Sequence, residues 1–215
     1  MYPSRDSNPR GFFEDTAVNG LNEQILRPLL RRRFLHRSAA DTPLPGQLWL
    51  ARVPLSARIS VREPVAGGIA AIVGKRPFCL KDPRFCYTLP AWRAYAPEAR
   101  ILCVFRHPRV VVSSTLQEVS SVPYLRGFAI SSQGAFELWK LMYRHVLKHA
   151  EAGEWLFVEY SDLFKPSTLQ RIAEYSEAEL DTNFPDPNLN RSEPVSDVDE
   201  EAEALYDELL RRTLH

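Results

Sequence analysis

Three short stretches of this sequence carry side chains that could handle a negatively charged group or a proton. Arg106 closes an apolar run, Pro108 follows, and Ser113 and Ser114 come seven and eight positions after the arginine. A proline at the first position of a helix costs nothing, because its missing N–H would have no partner there. The free N–H groups and positive dipole end of such a helix favour an anion. The arginine adds a planar fork suited to phosphate, and a serine two turns on could donate a further hydrogen bond. The same residues would also serve an ordinary strand–turn–helix with a surface arginine. Lys81 heads the run Lys81-Asp82-Pro83-Arg84. A lysine at the end of a strand can stabilise charge on a transferring group, whereas Asp82-Pro83 favours a plain turn with solvated charges. Glu14 follows Phe12 and Phe13 just ahead of a helical pattern. Its carboxylate could act as a general base or stabilise the helix N-terminus through the dipole.

The elements that would position these groups follow from hydrophobic spacing. Val18, Leu21, Ile25, Leu26, Leu29 and Leu30 recur at three and four residues, which predicts a helix from Asp15 to Phe34. Asp15 or Thr16 would cap it, and Pro28 would kink it. Residues 36–46 read as a loop, and 47–70 are ambiguous between strand and helix. Pro77–Leu80 reads as a short strand ending at Lys81. Thr88 is the expected cap of a helix carrying Leu89, Trp92 and Tyr95. Arg100–Phe105 is a continuous apolar run, as expected of a buried parallel strand, and a helix is expected over 109–118. A long helix is predicted from Ser131 to His149, a strand over Trp155–Val158, and helices over Pro166–Tyr175 and Asp199–Arg212. Strands alternating with helices imply βαβ units and a parallel sheet. Ligands bind beyond the carboxyl ends of such strands, where Lys81, Arg106 and Glu159 are expected to lie.

The 215 residues fit a single domain with its own core, residues 1–11 forming an extended polar arm and 181–198 a Pro/Asp/Asn-rich segment before the last helix. With 27 basic and 27 acidic residues the chain has no net charge, so nucleic acid is not an expected partner. The three cysteines have no Cys-x-x-Cys spacing, and Cys79 and Cys103 lie in apolar runs. They read as buried free thiols in a reducing compartment. Neither they nor the five histidines show metal-ligand spacing, and His145 and His149, four apart, read as packed or solvated. No apolar stretch is long enough for a membrane span, and residues 1–10 lack the apolar centre of a signal peptide. A soluble, cytoplasmic protein without membrane partners is expected.

Four stretches together resemble the sulfotransferase family, and more closely its bacterial and tyrosylprotein- or carbohydrate-type members. They are Asn8–Asp15, Leu80–Arg84 with Leu89–Trp92, Arg106–Ser114, and Val158–Leu163. The resemblance implies a three-layer α/β/α fold with a mainly parallel sheet, related to the P-loop NTPases. It implies transfer of a sulfuryl group from the nucleotide PAPS to a hydroxyl or amine of a small-molecule, carbohydrate or peptide acceptor, leaving PAP and needing no metal. On that resemblance Arg106 and Ser114 hold the 3′-phosphate of the nucleotide, Lys81 lies near the transferring group, and Glu14 is the base. Tyr160–Leu163 matches a structural stretch of the family, with Ser161 in place of a glutamate. Arg191 would reach the nucleotide. The acceptor would be shaped by residues around 36–76 and 119–132, where Trp49, Tyr124 and Phe128 could line a pocket or pack in the core. The family's Gly-rich phosphosulfate loop has no counterpart here, and Val65–Ile69 lacks its hydroxyl and basic residues. An N-terminally truncated sheet is therefore expected, with an open edge that favours pairing with a second copy. Two other functions remain: a non-catalytic relative that at most binds PAP, and a nucleotide kinase-like phosphoryl transferase, whose Gly-x-x-x-x-Gly-Lys loop is also missing.

Overall fold

The computed structural model describes residues 9–31, 42–189 and 192–214. Among them are α1 (Thr16–Arg31), α2 (Val65–Val73), α3 (Phe85–Arg93), β1 (Ile101–Phe105), α4 (Pro108–Ser121), α5 (Ser132–His149), β2 (Trp155–Glu159), α6 (Pro166–Ser176) and α7 (Glu200–Arg211). Most of the arm expected over 1–11 lies outside the described residues, as does Arg191.

The strands pair in parallel, from Ile101 against Trp155 to Phe105 against Glu159. A parallel pair needs a long crossover, and α4 with α5 supplies it. Helices lie against both faces of this small sheet. On one, Phe105 and Phe157 pack with Val112 of α4, Phe136 and Trp139 of α5, and Leu205 and Leu209 of α7. Burying each such phenylalanine contributes about 1.5–3 kcal/mol. On the other, Leu156 and Val158 pack against Ile172 of α6. That helix covers β2 and leaves β1 bare: Leu102 and Val104 are 42% and 39% exposed. Ile101 donates its N–H to Glu154 O, 3.4 Å away, on the β2 side. Alternation along the strand therefore turns the N–H and C=O of Leu102 and Val104 to the other edge, where no described strand pairs with them.

The strand expected over Pro77–Leu80 does not form. A strand exists through its ladder, and no described strand pairs with this segment. For the same reason Cys79, expected to be buried, is exposed. Thr88 does not cap α3. The helix begins at Phe85, because the Asp82 carboxylate accepts the Arg84 N–H (2.8 Å) and sets the first turn. Thr88 then lies inside the helix with its hydroxyl oxygen 3.1 Å from Arg84 O. Leu48–Leu50 is one 3-10 turn. Phe128 packs with Leu50, Leu125 and Leu138, and Trp49 donates to the Tyr124 hydroxyl (3.1 Å), so these aromatics form a cluster of their own.

Three of the remaining helices begin where a side chain caps them. Asp15 accepts from the N–H groups of Ala17 (2.7 Å) and Val18 (3.2 Å), and α1 continues through Pro28. Ser131 and Asp199 cap α5 and α7. Helix α2 packs its Ile69 and Val73 against Val18 and Ile25 of α1. The approach is close enough that a Cβ at Gly68 would meet Leu21 Cδ2 at 2.8 Å.

Helix α5 carries two neighbouring imidazoles, His145 buried and His149 half-buried. His145 Nε2 lies 3.1 Å from Val53 O, while His149 Nε2 is buried with no partner among the described residues. Burial, then the nearby His145, Lys148 and Arg93, pulls the His149 ring down to about 4. Between that value and its ordinary 6.5 the unfolded chain takes up a proton that the folded chain refuses. Stability therefore declines as pH falls through this window and levels off below it. Urea unfolding at pH 7 and pH 5 should show a smaller loss for His149→Phe than for the parent. Equal losses would mean that His149 titrates normally.

Candidate functional site

The turn before α3 is built around buried charge. Asp82 is 5% and Arg84 3% exposed. Asp82 accepts from Asn22 Nδ2 (3.0 Å), the Arg84 N–H (2.8 Å) and the Arg84 guanidinium (3.1 and 3.3 Å). Arg84 also reaches Glu23 Oε1, with Nε at 3.0 Å. Glu23 in turn accepts the N–H groups of Gly46 (3.0 Å) and Leu48 (3.1 Å). The other end of Asn22, its Oδ1, accepts from Thr88 Oγ1 (2.7 Å) and Trp92 Nε1 (2.8 Å). Burial raises the Asp82 carboxyl above its ordinary value, and Arg84 and Asn22 pull against that rise. Buried charges persist only where they are paired and hydrogen-bonded in this way. The network joins α1, the 44–48 loop and α3, and it leaves Lys81 as the outward member of its turn.

Lys81 and Glu14 meet. Lys81 Nζ lies 2.7 Å from Glu14 Oε1 and also donates to Phe12 O at 3.0 Å. Glu14 Oε2 accepts from Asn19 Nδ2 at 2.9 Å. Capping of α1 falls to Asp15, so Glu14 is not the cap. Its side chain is 11% exposed and that of Lys81 54%. The carboxylate is thus fixed from two sides and keeps lone pairs able to receive a proton. The ammonium is fixed through two of its three N–H groups and remains open to solvent.

Arg106 and Ser114 belong to the β1–α4 unit instead. The half-buried Arg106 guanidinium lies 4.8 Å from the centre of the Tyr160 ring. Burial lowers its proton affinity, and Tyr160 and Glu159 act the other way. His107 caps α4: its Nδ1 accepts the Arg109 N–H (3.3 Å) and its Nε2 lies 3.2 Å from Glu203. Pro108 is the first helical residue, as its type requires. Ser114 stands half-buried nearly two turns on. At the end of β2, Glu159 accepts from the Ser161 N–H at 2.6 Å and from the Ser161 hydroxyl. Burial, then Glu159, pushes the neighbouring Tyr206 hydroxyl up to about 12.

Of the four expected site residues, then, Glu14 and Lys81 are in contact, and Arg106 and Ser114 stand on a separate pair of consecutive elements. Asn19, Asn22 and Glu23 were not singled out as candidates. Their signal was faint: amides and acids on a helix read as its wet face, yet Asn19 and Asn22 are 3% and 0% exposed. Among the described residues no three potential ligands cluster as for a metal ion, and no helix is long and apolar enough to cross a membrane. The model of a family described as sulfotransferases matches residues 21–182, which include Lys81, Arg106 and Ser114 but not Glu14. No curated protein and no solved structure matches the chain.

Proposed function

The chain belongs to the sulfotransferase family, and on that basis we propose that it moves a sulfuryl group from PAPS to a hydroxyl or amine acceptor. The observation that carries this reading is the Glu14–Lys81 contact, made across 67 positions of sequence. An acceptor oxygen attacks sulfur in line, the bond between sulfur and the bridging oxygen breaks, and PAP leaves. Glu14 takes the acceptor's proton, and Lys81 offsets negative charge on the moving group. Arg106 and Ser114 hold the 3′-phosphate, a role supported by a guanidinium at the carboxyl end of β1 and a hydroxyl on the helix that follows. The two strands and their helices form part of a three-layer α/β/α sheet in this reading. The three free thiols support a reducing compartment, the cytoplasm.

Thermal unfolding with PAP, and with AMP as the control lacking the 3′-phosphate, tests the assignment. At ~100-fold excess over its dissociation constant a ligand adds about 2.7 kcal/mol, a shift of several degrees for a chain of this size. PAP should produce the shift and AMP should not, and Arg106→Ala should abolish it. A variant that binds PAP like the parent would remove Arg106 from the site. A PAP shift without turnover of any acceptor would leave a nucleotide-binding relative that is not an enzyme.

A further inference from the structure

The outer edge of β1 is a row of backbone donors and acceptors without a ladder. Leu102 and Val104 turn their N–H and C=O groups away from β2, and no described strand pairs with them. Sheets ordinarily protect such an edge with a lysine, a proline, a bulge or a covering element. Ile101–Phe105 contains no charge and no proline, and the side chains of Leu102 and Val104 are themselves exposed. Charge is confined to the two ends of the strand. At its start Arg100 pairs with Glu154 (3.7 Å) and Glu177 (2.6 Å), one cation against two exposed carboxylates. At its end stands the guanidinium of Arg106, over the Tyr160 ring. The Glu159 carboxylate behind it is buried and bonded to Ser161.

We propose that this edge pairs with the same edge of a second copy, antiparallel and about a two-fold axis at Cys103. In an antiparallel ladder a residue whose N–H and C=O point at the neighbour exchanges both bonds with the residue opposite. The register centred on Cys103 sets Leu102 against the partner's Val104, and Val104 against the partner's Leu102, so the bonds stay within the two strands. Registers centred on Leu102 or Val104 would oppose Val104 to the partner's Arg100, or Leu102 to the partner's Arg106, a charge against an apolar side chain. Pairing at Cys103 also lays the exposed side chains of Leu102 and Val104 beside those of the partner, which shields all four from water. The start of each strand then meets the end of the other. Arg106 faces the partner's Arg100 together with the partner's Glu154 and Glu177, so a cation meets a cluster with one negative charge in excess. Bonds and charges of this edge thus complement themselves, as a closed two-fold pair of like chains requires.

Sedimentation equilibrium without nucleotide, joined to amide hydrogen exchange resolved to single residues, tests the interface. The parent should sediment as a dimer at micromolar concentration. The Leu102 and Val104 N–H groups should exchange slowly in that dimer and quickly once dilution has separated it. Val104→Lys and Leu102→Lys alter exposed side chains and so leave the monomer folded. Each should weaken the dimer at least about tenfold, because two lysines enter its apolar centre. Glu177→Lys, outside the strand, should weaken it by a smaller factor. A parent that is monomeric at these concentrations would overturn the proposal, and slow exchange of the two amides in that monomer would assign the edge to another segment of the chain. A dimer whose Leu102 and Val104 amides exchange quickly, or one that neither lysine weakens, would overturn it too and place the contact on another surface.

Discussion

Glu14→Gln should lower turnover about 10²- to 10⁴-fold, the range a positioned general base contributes. The substitution keeps the shape of the side chain and removes only its capacity to take a proton. Asn19 can still bond the remaining carbonyl oxygen, and Lys81 keeps Phe12 O as a partner. The loss should therefore appear in kcat and leave the PAP-induced thermal shift unchanged. Glu14→Asp retains a carboxylate but draws it back by one methylene from the Lys81 contact of 2.7 Å. Its rate should fall between the other two. Turnover of Glu14→Gln within twofold of the parent would place the base elsewhere.

The largest change in stability should come from Asp82→Ala. Removing one partner of a buried ion pair costs about 3–5 kcal/mol, because the other charge stays buried without full compensation. Here the Asp82 side chain is 0% and that of Arg84 4% exposed, so water cannot replace the lost bonds without opening the turn. The change also strands Asn22 Nδ2 and the Arg84 N–H. Glu23 still holds one side of the guanidinium, which favours the lower half of the range. For a domain stable by about 5–15 kcal/mol this is a large fraction, and the urea midpoint should fall accordingly. Asp82→Asn keeps one acceptor oxygen, enough for the Arg84 N–H but not also for Asn22, and should cost less. A midpoint for Asp82→Ala within error of the parent's would mean that the network contributes nothing net.

Sequence reading succeeded where a local rule decides the outcome. Ser131 and Asp199 are capping types at the heads of amphipathic runs, and α5 and α7 begin there. Arg106 to Pro108 marks the exit of β1 because an apolar run, a charge and a helix-starting proline occur in order. It failed where a partner decides. Pro77–Leu80 has the composition of a strand but no ladder beside it. Val65–Val73 contains two adjacent glycines, poor helix formers, yet it is helical because α1 lies against Gly68. The site divides in the same way. Glu14 and Lys81 could be nominated by type, but their contact depends on how α1 docks on the turn before α3. The Asn22–Asp82–Arg84–Glu23 network arranges that docking, and no pattern of spacing announces it.

Asp186 and Val195 are nine residues apart in the chain, yet they fasten different parts of the molecule. Asp186 holds Arg10 beside Glu14, at a sequence separation of 176. Val195 donates its N–H to Arg109 O at 3.2 Å and accepts from the Arg109 Nε at 2.7 Å, three residues past Arg106. At about 3.4 Å per residue the chain between these anchors spans at most ~30 Å. The segment therefore limits how far the loop ahead of α1 can lie from the β1–α4 unit. Two regions that each look like independent local structure are thus tethered to each other by one short segment.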